Sequence, residues 1–144
     1  MTLLYVSDVR RSVAFYKSVG FIHDYYYDNE KERYAREWDQ AYPPEYAEMI
    51  QGDIRVGLTT SADDKPIFGG GVRHYFLLDD VQAHFAMIDR NGVRAEPHEV
   101  EHRPWMDFIT IADPDNHQIV FGTKNQDYYD RAREEINSLD ANNE

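Results

Sequence analysis

Leu3-Leu4-Tyr5-Val6-Ser7-Asp8-Val9, continued by Ser12-Val13-Ala14-Phe15-Tyr16 and closed by Gly20-Phe21, reads as a strand, a capped helix and the start of a second strand. The stretch decides the fold because it occurs twice. Asp8-Val9 returns as Asp80-Val81, half the 144-residue chain further on, and the other anchors keep the same spacing. Ala14 becomes Ala86, Gly20 becomes Gly92, and Phe21 becomes the apolar Val93. Tyr75 to Leu78 supplies the second apolar run. Few positions match by identity; order and spacing carry the repeat. A fold duplicated about its midpoint places a shared cleft between its halves, and that cleft is where function is expected.

Working outward, Ser7 or Asp8 caps the first helix, whose apolar stripe includes Val9, Val13 and Tyr16, and Gly20 ends it. Phe21 to Tyr27 is read as a strand, and residues 29–43 as a partly helical insertion stopped by Pro43-Pro44. Glu45–Gln51 and Ile54–Thr59 form a hairpin around Gly52-Asp53. Residues 61–71, ending in three glycines, form the linker between module 1 (1–60) and module 2 (72–124). In module 2 the expected elements are a strand over Arg73–Leu78, a helix over Val81–Arg90 and a strand over Val93–Pro97. Strands over Trp105–Ala112 and Gln118–Thr123 follow, joined through Asp113-Pro-Asp-Asn-His117. Residues 125–144 add a C-terminal helix over 126–138 and a fraying tail. Each half is therefore β-α-β-β-β.

Composition narrows the function. The chain is long enough to bury a core, and no apolar run reaches membrane-spanning length. It has no cysteine, hence no disulfide or thiolate chemistry, and the expected location is cytoplasmic. A formal charge of -12 argues against nucleic acid as a partner. Eleven tyrosines and two tryptophans supply rings for stacking pockets as readily as for cores. There is no Gly-x-Ser-x-Gly elbow, phosphate loop or dinucleotide fingerprint.

The opening motif Tyr5-Val-Ser-Asp-Val9...Phe15-Tyr16...Gly20-Phe21, together with Phe108...Asp113-Pro-Asp115...Ile119-Val-Phe121, resembles the vicinal oxygen chelate superfamily. That superfamily includes glyoxalases, extradiol dioxygenases and bleomycin-resistance proteins. The resemblance covers residues 1–124 and implies an α+β fold: two tandem βαβββ modules forming a curved mixed sheet around a cleft, often completed by a second subunit. Catalytic members hold a divalent ion with His and Glu side chains, leaving coordination positions for vicinal substrate oxygens. Counted from the motifs, the positions for those ligands fall on Met1, Arg73, Val120 and the Arg55–Leu58 stretch, none of which supplies an imidazole or a carboxylate. His74 lies one step from an expected ligand, but alternation turns it to the face shared with Phe76 and Leu78.

The expectation is therefore a metal-free binding protein, a homodimer as the resemblance implies, with a small-molecule ligand that is aromatic or cationic, such as a glycopeptide antibiotic. Arg103-Pro-Trp105-Met-Asp107-Phe108 resembles a segment of the bleomycin-resistance group. Candidate ligand-binding residues are Tyr5, Trp38, Glu48, Arg73, Tyr75, Trp105 and Asp107. Tyr5 and Tyr75 either face the cavity or fill the core, and Trp38 either covers the opening or anchors the insertion. Arg73 would welcome an anionic or carbonyl group. Two alternatives stay open: a metal-dependent lyase, isomerase or dioxygenase using His74, and an interaction module with no ligand.

Overall fold

A computed structural model describes residues 1–60 and 72–142; the expected linker over 61–71 lies outside them. The repeat is visible first in the helix caps. Asp8 opens α1 (Val9–Ser18) by accepting the Arg11 amide at 3.1 Å, and Asp80 opens α2 (Val81–Arg90) by accepting the Ala83 amide at 3.1 Å. Each cap satisfies one of the amides that a helix start leaves without a partner. Val9, Ser12, Val13 and Tyr16 are buried on α1, and Val81, His84 and Ile88 on α2. Gly20 and Gly92 follow the helices with φ of +105° and +81°, where a Cβ would be strained.

The strands form two mixed sheets. In the first, β1 (Thr2–Tyr5), β5 (Ile54–Thr59), β4 (Tyr46–Gln51), β2 (Ile22–Asp28) and β3 (Arg33–Ala35) lie in that order. In the second the order is β6 (Arg73–Leu77), β9 (Gln118–Lys124), β8 (Met106–Ala112) and β7 (Glu101–Arg103). The opening and closing strands of each module run parallel, with Leu3 opposite Gly57 and Tyr75 opposite Val120. Since Leu3 and Tyr75 are equivalent in the repeat, so are Gly57 and Val120.

One face of each sheet enters a common core. Leu4, Val56, Leu58 and Met49 from the first sheet join Phe76, Ile109, Ile119 and Phe121 from the second. Phe21 bridges them, its ring 5.4 Å from that of Phe76 and 6.3 Å from that of Phe121. The other face is open: Leu3, Tyr5, Tyr75 and Leu77 are all about half exposed. Alternation along the strand produces this division.

Three expectations need correction. The 29–43 insertion contains strand β3 and turns rather than helix. Its Asp28 accepts the amides of Glu30 and Lys31 and the hydroxyl of Tyr42, which folds the segment back instead of letting it propagate as a helix. Residues 93–97 form no strand, because the segment makes a single bond to β8, from the Glu96 amide to the Thr110 carbonyl at 2.9 Å, and Pro97 has no amide with which to continue a ladder; the second strand of module 2 is β7. The C-terminal helix α3 (Gln126–Asn142) runs past residue 138. No helix among the described residues is long and apolar enough to cross a membrane.

Candidate functional site

The open face of module 1 is lined by tyrosines because a bulge puts them there. Between His23 and Tyr25 the pairing of β2 with β4 shifts register, so Tyr25 stands opposite Glu48 and Tyr27 opposite Tyr46. Without the shift, strict alternation from Ile22 would have turned Tyr25 and Tyr27 toward the core. Tyr34 on β3 packs against both, with ring centroids 5.1 Å from each. Together with Tyr46, Glu45 and Thr59 they line a depression of about 500 Å³.

Glu48 lies beneath this face and is buried. It accepts hydrogen bonds from the Arg55 guanidinium at 2.6 Å, from the Tyr46 hydroxyl at 3.2 Å and, very closely, from the Tyr25 hydroxyl. Burial by itself would push its carboxyl up, but the bonds from Tyr25, Arg55 and Tyr46 outweigh burial and hold it below the usual range. The Tyr25 hydroxyl is correspondingly pushed up, first by its bond to Glu48 and then by burial. Arg55 also reaches Asp24 at 3.3 Å. The carboxylate is thus neutralised by Arg55 and bonded to the hydroxyls of Tyr25 and Tyr46.

Module 2 presents a different face. Arg73, Tyr75 and Leu77 project from β6, and Met106 and Phe108 project beside them from β8, around a depression of about 590 Å³. Trp105, Arg103, Lys124 and Tyr129 complete its wall. The Arg103 guanidinium lies 5.5 Å from the centre of the Phe108 ring, and the Lys124 ammonium 4.6 Å from that of Tyr129. Trp105 packs against Tyr128, and its carbonyl accepts the Asn125 amide at 2.9 Å. The start of α3 therefore belongs to this wall, although sequence reasoning left it outside the domain.

The seven expected ligand-binding residues separate. Arg73, Tyr75 and Trp105 meet on the module 2 face. Glu48 lies under the module 1 face, and Tyr5 flanks it, paired with Thr59. Trp38 stands elsewhere: it packs on Tyr26 and Tyr42 and donates its indole N–H to the Tyr42 carbonyl at 2.8 Å. Asp107 points away from Phe108 and pairs with His102 at 2.7 Å. Sequence reasoning missed Tyr25, Tyr34, Tyr46, Arg103 and Lys124. The tyrosine content was the available signal, but the bulge decides which rings face outward.

The expected metal positions do not fit an ion. Met1 offers a thioether, Arg73 a cation and Val120 a buried aliphatic group. Gly57, the equivalent of Val120, is covered: a Cβ there would stand 2.9 Å from Leu3 Cδ1 and 2.9 Å from Tyr46 Oη. His74 turns away from Arg73 and Tyr75 and lies 6.1 Å from His117, ring to ring. Burial and the neighbouring His117 lower its pKa. His98 pairs with Asp89 and His102 with Asp107, but no group of three or more metal-binding side chains is assembled among the described residues.

Comparison with known proteins adds family and fold. The profile described as Glyoxalase/Bleomycin resistance protein/Dioxygenase superfamily matches residues 1–121. No curated protein matches the chain in sequence. Among solved structures, TioX from Micromonospora sp. ML1 is similar with a TM-score of 0.62 at 16% identity, covering 85% of this chain and 93% of its own. TnmS3, described as an antibiotic binding protein from Streptomyces sp. CB03234, gives a TM-score of 0.60 at 19% identity, with 85% and 91% covered. A bleomycin-binding protein complexed with bleomycin gives 0.56 at 16% identity, with 86% and 94% covered.

Proposed function

Since the chain belongs to the glyoxalase/bleomycin resistance protein/dioxygenase superfamily, we propose that it is a metal-free small-molecule-binding protein of that superfamily, a cytoplasmic homodimer that sequesters a flat aromatic compound. The observation that carries this reading is the replacement of every expected ligand position by Met1, Gly57, Arg73 and Val120, with Gly57 roofed by Leu3 and Tyr46. These groups offer an ion neither an imidazole nor a carboxylate. The antibiotic-binding neighbours support a binding role.

The two open faces support the dimer reading. Each is a half-site, one of tyrosines and one of aromatic rings with cations, and neither encloses a ligand by itself. A second copy that brings its module 1 face over module 2 of the first would close two equivalent clefts. Stacking in such a cleft contributes about 0.5–1.5 kcal/mol per ring pair beyond area burial.

A Trp38→Phe variant leaves Trp105 as the single indole and reports the module 2 face directly. Saturable quenching by an aromatic compound, together with a dimer in sedimentation, is the expected result. The reading fails if natively purified protein carries stoichiometric Ni, Zn, Fe or Mn that a His74→Ala variant loses.

A further inference from the structure

We propose that the module 2 face recognises an aromatic anion, taking the ring of an aromatic carboxylate between its side chains and the carboxylate on Arg73, Arg103 and Lys124. This rests on the binding reading above and deepens it by naming the charge of the ligand.

Charge distribution carries the inference. The chain has 27 acidic and 15 basic residues. Yet the described wall of this depression holds three cations and no carboxylate. Of the nearby acids, Asp107 is engaged by His102 on the opposite face of β8, while Glu101, on the same side of β7 as Arg103, reaches its guanidinium at 3.7 Å and offsets only part of the local positive charge. Over such a chain, chance would have favoured acids at these positions.

The cations are also mounted on rings. Arg103 lies over Phe108 and Lys124 over Tyr129. Arg103 spends one N–H on the His102 carbonyl at 3.0 Å, and its five-donor fork leaves other N–H groups for a carboxylate. Arg73 stands on the same side of β6 as Tyr75, so a ring beside Tyr75 would carry its acidic group within reach of Arg73. An ammonium in this position would instead meet three like charges.

Module 1 does not reverse the preference. Glu48, its buried carboxylate, is already bonded to Arg55, Tyr25 and Tyr46 and has no unneutralised charge to offer a cation, and Glu45 at the same depression is a single carboxylate, held by the Asn29 amide at 2.7 Å, against three cations on module 2. The net negative charge of the whole protein opposes anions at long range. At physiological salt, however, the screening length is about 8 Å, and the three local cations act within it.

The test uses three probes with one ring system: 2-naphthoate, 2-naphthamide and 2-naphthylmethylammonium, titrated calorimetrically into the full chain. Naphthoate is expected to bind about tenfold more tightly than either of the others, the scale of one charge-assisted hydrogen bond. Arg73→Gln and Arg103→Gln should each narrow that gap, and added salt should narrow it further. Arg90→Gln, at the end of α2, should leave it unchanged.

Equal affinities, or preference for the ammonium, would overturn the anion assignment and leave aromatic binding standing. No binding of any probe would overturn both readings. If the arginine variants shift the monomer–dimer equilibrium while naphthoate affinity holds, the cations serve the interface, and the assignment is likewise overturned.

Discussion

Tyr16 donates its hydroxyl to Asp113 Oδ2 at 2.8 Å, joining the helix of the first module to the closing turn of the second across 97 positions of chain. Both groups are buried. Asp113 also accepts the amides of Asp115 and His117, which shapes the turn between β8 and β9. His117 in turn bonds the Tyr5 carbonyl at 2.7 Å, and Asp115 accepts the Ser7 amide. A polar chain thus links the end of β1 with the last hairpin, beside the apolar core that both modules share.

Tyr16→Phe should cost about 1–3 kcal/mol, because it leaves a buried carboxylate short of one donor. Its pH dependence is distinctive. Burial first, and then Asp113, hold the Tyr16 hydroxyl far above its ordinary 10.0. A group whose folded pKa is raised contributes fully below its unfolded pKa and loses that contribution as pH rises above it. Urea unfolding of the native chain should therefore weaken above pH 10, and Tyr16→Phe should make that alkaline slope shallower.

Glu48→Gln should destabilise the fold by about 1–3 kcal/mol at neutral pH, since Arg55 and two tyrosines lose a charged acceptor. Here the sign is opposite. A carboxyl held below its ordinary 4.5 contributes above that pH and loses the contribution as pH falls. Unfolding midpoints of native and variant chains should converge as pH drops below 4.5. A constant difference across that range would show that charge is not the cause.

Gly20→Ala should cost more than Gly92→Ala. Both positions have positive φ, but a Cβ at Gly20 would stand 2.9 Å from the buried His84 ring, whereas at Gly92 nothing lies within 4 Å. The backbone term of about 1 kcal/mol applies at both, and crowding of His84 adds about 1–3 kcal/mol at Gly20. Thermal melts of the two variants measure the difference.

Dialysis against EDTA should leave the melting temperature and aromatic-probe affinity unchanged. A bound ion that stabilised the fold would reveal itself by a fall in melting temperature on its removal.

Residues on the page of sequence were enough for the family, the duplicated modules and the two helix caps. Caps, turns and strand alternation are local: Asp8 acts on Arg11 and Asp80 on Ala83, three residues away, and spacing alone reveals them. Alternation also correctly put His74 on the side of Phe76, away from Arg73 and Tyr75.

Tertiary structure decided the rest. The bulge at His23–Tyr25 reversed the outward set of β2, exposing Tyr25 and Tyr27 to the open face. The return of α3 against Trp105 completed the second wall. Trp38 packs on Tyr26 and Tyr42 and lines a small depression with Asn29 and Glu45. Each outcome depends on contacts between segments far apart in the chain, whose free energies outweigh the local preferences that periodicity reports. The sequence by itself determined which residues could chelate, and it supplied none at the expected positions; only packing decided which rings and charges would line the open face of each sheet.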